Sequence, residues 1–351
     1  MRRVLAFILM LVPFMSFSQE SDWERFLHKA KMFLDSTDVA GCDLSYVRPY
    51  QRPWTFNISI RQFGTNLHTT TKNGSRASLN AGTKSNLKFK LAYRGYGLSY
   101  SHELANGTER EFSLSKRGPV YGLEFRRYQS TSFSGSVRGD SSYNVHEPFA
   151  YNIEKGSIHK KSYELNGYYV FNHKTFSYPA AITGTVRQVR SCGSPVLGMT
   201  FYSTTITASD TLMSYYWDDI RKVRIRQFSI GGGYAYNYVF GHNSCFLLHV
   251  SAMPMLSIYR RNKLFTAHSL NNIEEDSFLD IDLYKNYFNS LSDRNNTIKL
   301  TALLRASFHY SWKDFIVGYR ISSNRTDVGS SSKFRATIND WNGELYWGYR
   351  F

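Results

Sequence analysis

Leu345-Tyr346-Trp347-Gly348-Tyr349-Arg350-Phe351, at the end of the chain, decides how the rest of the sequence reads. Leu345, Trp347, Tyr349 and Phe351 occupy one phase of a two-residue period, and Glu344, Tyr346, Gly348 and Arg350 the other. Successive side chains of a β-strand point to opposite faces, so this is a strand with one broad apolar, aromatic face. A soluble sandwich also holds strands with one buried and one wet face. What separates the two settings is how often, and at what length, the pattern recurs upstream.

It recurs from Arg52 onward. Trp54, Phe56, Ile58 and Ile60 alternate with Thr55, Asn57, Ser59 and Arg61; Leu87, Phe89, Leu91 and Tyr93 alternate with Lys88, Lys90 and Ala92. Tyr121, Leu123 and Phe125 face away from Glu124 and Arg126, and Leu300, Leu304 and Phe308 form a later ladder. Each segment suits a tilted strand of about 9–11 residues that crosses a bilayer. The 351 residues include 26 Tyr and 25 Phe at a mean hydropathy of −0.40, as expected when every strand alternates lipid-facing and lumen-facing positions. The closing stretch resembles the signal that bacterial barrel-assembly machinery reads on outer-membrane barrels. That resemblance makes Leu345, Trp347, Tyr349 and Phe351 the assembly signal and the machinery a partner.

The other end is consistent with export. Met1-Arg-Arg is a charged start, Val4 to Val12 a short apolar run, and Ser16-Phe-Ser18 supplies small residues before a cut at Gln19. Residues 1–18 therefore read as a signal peptide, too short in its apolar part for a helix of about 20 residues spanning a membrane. Residues 19–50 read as an amphipathic helix and linker on the periplasmic side. Ser21 and Glu24 form a capping box, and Trp23, Phe26, Leu27, Ala30 and Leu34 share one face. Residues 51–351 form the barrel.

Single-chain bacterial barrels have even strand numbers, short periplasmic turns and longer outer loops. Trp312-Lys-Asp314 and Gly241-His-Asn243 are short turns, so 64–84, 134–158, 207–223 and 262–295 fall outside. Phe176-Ser-Tyr-Pro-Ala-Ala181 is left as an irregular periplasmic segment, because Pro179 disfavours a central strand. The fold class is all-β: an antiparallel transmembrane β-barrel of twelve strands, with ten or fourteen as the neighbouring solutions, and a short N-terminal periplasmic helix. The location is the outer membrane of a Gram-negative bacterium.

Asn172-His-Lys-Thr-Phe-Ser-Tyr-Pro-Ala-Ala181, Gln188-Val-Arg-Ser-Cys-Gly-Ser194, Gly198, Arg52-Pro-Trp54, Ala235-Tyr-Asn-Tyr238 and Gly348-Tyr-Arg-Phe351 carry a family resemblance over roughly residues 40–351. The chain resembles an uncharacterised outer-membrane barrel family of Bacteroides-like bacteria, a domain of unknown function. The resemblance implies location and fold, and it transfers no functional residue.

The formal net charge is +16, and two of the cations leave with Arg2 and Arg3. In the strand register Arg61, Lys88, Lys90, Arg94, Arg126, Lys299, Arg305, Arg320 and Arg350 face the lumen, with Glu103, Glu124, Glu164 and Glu344 opposing them. Two functional classes follow. One is a structural or surface-binding barrel with a largely filled basic lumen, whose outer basic groups meet outer-membrane lipid and lipopolysaccharide phosphates. The other is a channel for small anionic or amphipathic solutes, drawn by the basic interior. A third, lipid hydrolysis, is suggested only by His242-Asn-Ser244, His102 with Glu103, and His249 with Ser251, and no catalytic residue is assigned. The acidic run Glu274, Glu275, Asp276, Asp280 and Asp282 lacks EF-hand spacing and reads as a solvated loop, so no metal or other cofactor is expected. Cys42, Cys192 and Cys245 have no metal-ligand spacing and read as unpaired. Nucleic acid is not an expected partner, since the charges are spread along exported strands rather than clustered. The sequence does not identify a small-molecule ligand.

Overall fold

A computed structural model describes residues 25, 39–82, 84–104, 108–131, 133–141, 145–267, 288–294, 299–330 and 334–351. The expected signal peptide, nearly all of the N-terminal helix, and the acidic run at 274–282 lie outside the described residues.

Twelve antiparallel strands form the wall: β1 (Trp54–Thr71), β2 (Lys84–Tyr93), β3 (Tyr96–Glu103), β4 (Arg110–Arg117), β5 (Tyr121–Ser130), β6 (Ile158–Val170), β7 (Cys192–Ala208), β8 (Ile220–Phe240), β9 (Phe246–Ala267), β10 (Lys299–Trp312), β11 (Phe315–Ser330) and β12 (Phe334–Arg350). Each pairs with its chain neighbours, and β12 pairs with β1 from Phe334↔Thr71 to Arg350↔Thr55, which closes the barrel. Closure removes the unpaired edges that an open sheet would present to lipid. The seam runs to the last residue: the Phe351 amide donates to the Trp54 carbonyl at 3.0 Å, and the Trp54 amide donates back at 3.1 Å. Their rings stack with centroids 6.3 Å apart.

The two phases of the closing stretch separate as its period requires. Leu345, Trp347 and Tyr349 are 55%, 45% and 38% exposed on the outside, whereas Glu344, Tyr346 and Arg350 are 7%, 1% and 0% exposed inside. A wall this apolar outside and polar inside is the inverse of a soluble protein and matches a barrel in lipid. The expected strand count and alternation are therefore observed.

Both termini of the wall lie at one end, here the terminal end, with the short turns 94–95, 118–120, 241–245 and 313–314 and the longer connection 171–191. The long connections 131–157, 209–219 and 268–298 lie at the other, the loop end. There the strands run past the lipid-facing band. Arg76–Asn80 folds back on β1, pairs with Ser134–Gly139, and this pairs with Phe149–Ile153. These pieces and the short helix Thr211–Tyr216 enclose an apolar cluster that includes Leu67, Leu79, Phe133, Val137, Ile206, Trp217 and Ile338. Trp217 is fully buried, and its indole N–H donates to Thr69 Oγ1 at 3.1 Å.

The segment expected to be irregular is a structured plug. Tyr178–Ile182 is a helix whose N-cap Ser177 accepts from the Ala180 amide at 3.2 Å, with Pro179 in the first turn where its missing N–H costs nothing. Val186–Gln188 follows and pairs with Val47–Pro49 in a separate two-stranded sheet. This corrects the sequence reading: Pro179 excluded a strand there but favoured a helix start.

Candidate functional site in the barrel lumen

Along each wall strand the polar phase points inward, and at mid-height these positions meet in one ionic layer. Glu111 of β4 is its hub. It accepts a hydrogen bond from Arg61 of β1 and lies 3.5 Å from Lys88 Nζ and 3.9 Å from Arg126 Nε. Arg126 also reaches Glu164 at 3.4 Å and Glu124 at 3.9 Å, and Glu124 lies 3.0 Å from Arg117. On the adjoining strands β11 and β12 Arg320 meets Glu344 at 2.8 Å, and Ser59 donates to the same carboxylate at 2.7 Å. Lys160 sits nearer the loop end, 3.5 Å from Asp340. Charges this buried persist when paired and hydrogen-bonded, and the layer meets that condition at most of its members.

The plug closes the terminal end against the same wall. Arg305 donates to the Tyr178 hydroxyl at 3.1 Å, Arg320 donates to the Ile182 carbonyl, and Ser307 donates to the Ala181 carbonyl at 2.7 Å. Arg350 donates to the Gly184 carbonyl at 3.1 Å and lies 3.6 Å over the Tyr50 ring. Gly184 has a φ of +63°, and a Cβ there would stand 2.2 Å from Ile316 Cδ1, so only glycine fits this turn. Between plug and ionic layer is a cavity of about 110 Å³, and a second of about 90 Å³ lies toward the apolar cap. A water needs roughly 10–15 Å³ of such space, so each has room for a handful of waters.

The structure brings together Arg61, Lys88, Lys90, Arg126, Arg305, Arg320, Glu124, Glu164 and Glu344 around these cavities. Arg94 is a correction. It occupies the turn between β2 and β3 with φ +53°, and its guanidinium donates to the Tyr50 carbonyl at 3.3 Å at the rim. A two-residue turn shifts the phase that carried Lys88 and Lys90 inward. Glu103 lies apart from the layer, 3.7 Å from Lys84. Glu111 and Arg117 were not foreseen. Their strand, Arg110–Arg117, has only Phe112 and Leu114 as large apolar markers, too few to set its phase from sequence.

The hydrolase candidates resolve structurally. His242–Ser244 is a 3-10 turn at the terminal end, and His102 and Glu103 point to opposite faces of the wall. His249 does sit between two partners: Nδ1 is 2.8 Å from Asn237 Oδ1, and Nε2 is 3.2 Å from Ser251 Oγ. All three are buried, and Asn237 also donates to the Ser177 carbonyl at 2.9 Å, so the set braces the plug. The three cysteines are unpaired thiols. Among the described residues no His, Cys, Asp and Glu group has a metal-holding arrangement.

A family described as Domain of unknown function (DUF4421) matches residues 38–351. The chain belongs to this family. The resemblance read from the motifs at 172–194 thus holds at the level of an uncharacterised domain. No curated protein matches the chain. Among solved structures, the outer membrane protease OmpT of Escherichia coli has a TM-score of 0.43 at 9% identity, covering 85% of this chain and 96% of its own. The translocator domain of the autotransporter NalP of Neisseria meningitidis has a TM-score of 0.37 at 11% identity, covering 94% and 98%. The toluene transporter TodX of Pseudomonas putida has a TM-score of 0.28 at 8% identity, covering 88% and 92%.

Proposed function

We propose that this DUF4421 protein is an outer-membrane barrel that acts as a closed structural and surface-binding element, with its terminal end in the periplasm. The observation that carries the reading is closure at three levels of one lumen: the plug, the ionic layer and the apolar cap. A conduit needs a continuous wet path, and twelve strands leave little width once side chains fill the interior. The outward aromatic wall supports membrane placement, and the four short turns at the terminal end with the two longest connections, 131–157 and 268–298, at the loop end support the orientation. The seam formed by Phe351 supports its role, with Leu345, Trp347 and Tyr349, in recognition by assembly machinery. No catalytic step is invoked, because Ser251, His249 and Asn237 lie under the plug.

A second reading, a conduit for small anions, is favoured by one observation. Arg61, Lys88, Lys90, Arg117, Arg126, Arg305 and Arg320 outnumber Glu111, Glu124 and Glu344 around the larger cavity. Liposome swelling separates the two. Proteoliposomes should swell in isosmotic small sugars or organic anions no faster than empty vesicles. Swelling that rises with the amount of protein would favour the conduit.

A further inference from the structure

We infer that the outer wall of β4–β9, at the loop end, is a binding site for a phosphorylated glycolipid of the outer leaflet. The strand register aligns Arg110, Lys161, Arg224 and Lys263 in one lateral row, through Gln129 and Thr205. One step nearer the membrane centre, Arg127 and Arg226 stand in the next row with Tyr163 and Ser203 between them. One step farther out, His159 and Lys222 flank Thr207. No Asp or Glu stands in these rows on β4–β9. Beneath them runs an unbroken apolar row: Leu114, Phe125, Leu165, Phe201, Phe228 and Tyr259. Cations set directly above an aromatic row mark the height where acyl chains give way to headgroups.

The charge is denser here than on the rest of the wall. On the far arc, the outward positions above the apolar band include Gln62, Asn66, His68, Thr337 and Asn339, with Arg325 and Arg335 among them. A wall that needed only generic contact with lipid headgroups would not stack cations in three successive rows with no carboxylate among them. Arg224 and Lys263 are directly opposite each other, an arrangement that repels unless an anion lies between them. Neighbouring strands are about 4.8 Å apart, so Arg110, Lys161 and Arg224, two strands apart in sequence, stand at intervals of about 10 Å. They border a groove of about 830 Å³ that also exposes Gln129, Ser203 and Thr205. That combination suits a sugar headgroup with more than one phosphate: the cations take the phosphates in charge-assisted hydrogen bonds, the hydroxyl and amide groups take the sugar, and the apolar row takes the acyl chains.

This site rests on the surface role and orientation proposed above, but it is read by lipid selection rather than flux, so either proposal can fail alone. The test is native mass spectrometry of the intact barrel from nanodiscs of phosphatidylethanolamine doped with one of three lipids. These are a diphosphorylated disaccharide glycolipid, its dephosphorylated form, and phosphatidylglycerol. The wild type should retain the diphosphorylated glycolipid about tenfold or more over either alternative. The triple variant Lys161→Ala, Arg224→Ala, Lys263→Ala should lose that preference, and a control pair on the far arc, Arg325→Ala with Arg335→Ala, should keep it. Heat-modifiable gel migration confirms that each variant is folded. Equal retention of the dephosphorylated glycolipid, equal retention of phosphatidylglycerol, or undiminished preference in the triple variant would each overturn the inference.

Discussion

Replacing Glu111 with Gln keeps the shape of the lumen's hub and removes its charge. The carboxylate serves Arg61, Lys88 and Arg126 from a position only 2% exposed. At an effective dielectric near 20, a cation about 3.5–4 Å away contributes about 4–5 kcal/mol of attraction. The desolvation of the groups offsets much of that sum, and breaking a buried pair by removing one partner costs about 3–5 kcal/mol in net terms. Glu111→Gln should therefore lower the unfolding free energy by that amount, read as a shift of the urea midpoint at unchanged slope in detergent or lipid. The same substitution in a water-filled pore would break solvated pairs worth about 0–1 kcal/mol. A loss below about 1 kcal/mol would refute the filled-lumen account.

Other outcomes follow from particular contacts. Deleting Phe351 removes both backbone hydrogen bonds to Trp54 and the ring stack at the seam, so the folded, heat-modifiable fraction should fall in cells; Phe351→Asp should do the same. A cysteine placed at Ser141 should label in intact cells with an impermeant maleimide, and one at Lys313 should label only after the outer membrane is opened. The native Cys42 thiol, its Sγ 3.3 Å from the His173 carbonyl, is pushed up to about 11 by burial. Because the raised value keeps it protonated below that pH, alkylation should be slow at pH 8 and accelerate as pH approaches 11, whereas an ordinary thiol of pKa about 8.5 levels off near pH 9.

The wall was legible because its physics is local. In Trp54–Ile60 or Leu345–Phe351 each residue's side is fixed by its immediate neighbours, and lipid demands the same apolar phase on every strand. The lumen was legible only as a set of positions. Arg61, Lys88, Arg320 and Glu344 follow from the phase, but which cation meets which carboxylate depends on strands far apart in sequence, as Arg61 and Glu111 show. The two closures were not legible. The plug is held by Arg305, Arg320 and Arg350, more than 120 residues beyond it, and no local signal at Tyr178–Ile182 announces those partners. At the loop end Leu67, Ile206 and Ile338 sit in the inward phase, although Leu67 falls in the 64–84 stretch that reads as an outer loop from sequence. Residues folded over the mouth, Leu79 and Phe133 among them, turn that phase into an apolar core.

Planar-bilayer recording of the purified, reconstituted barrel tests the central claim most directly. The wild type should give no steady conductance above the bare bilayer, and Arg305→Ala combined with Arg350→Ala, which unfastens the plug, should produce intermittent openings at most. Stable wild-type channels with anion preference that weakens as salt screens the lumen would contradict the closed-barrel account.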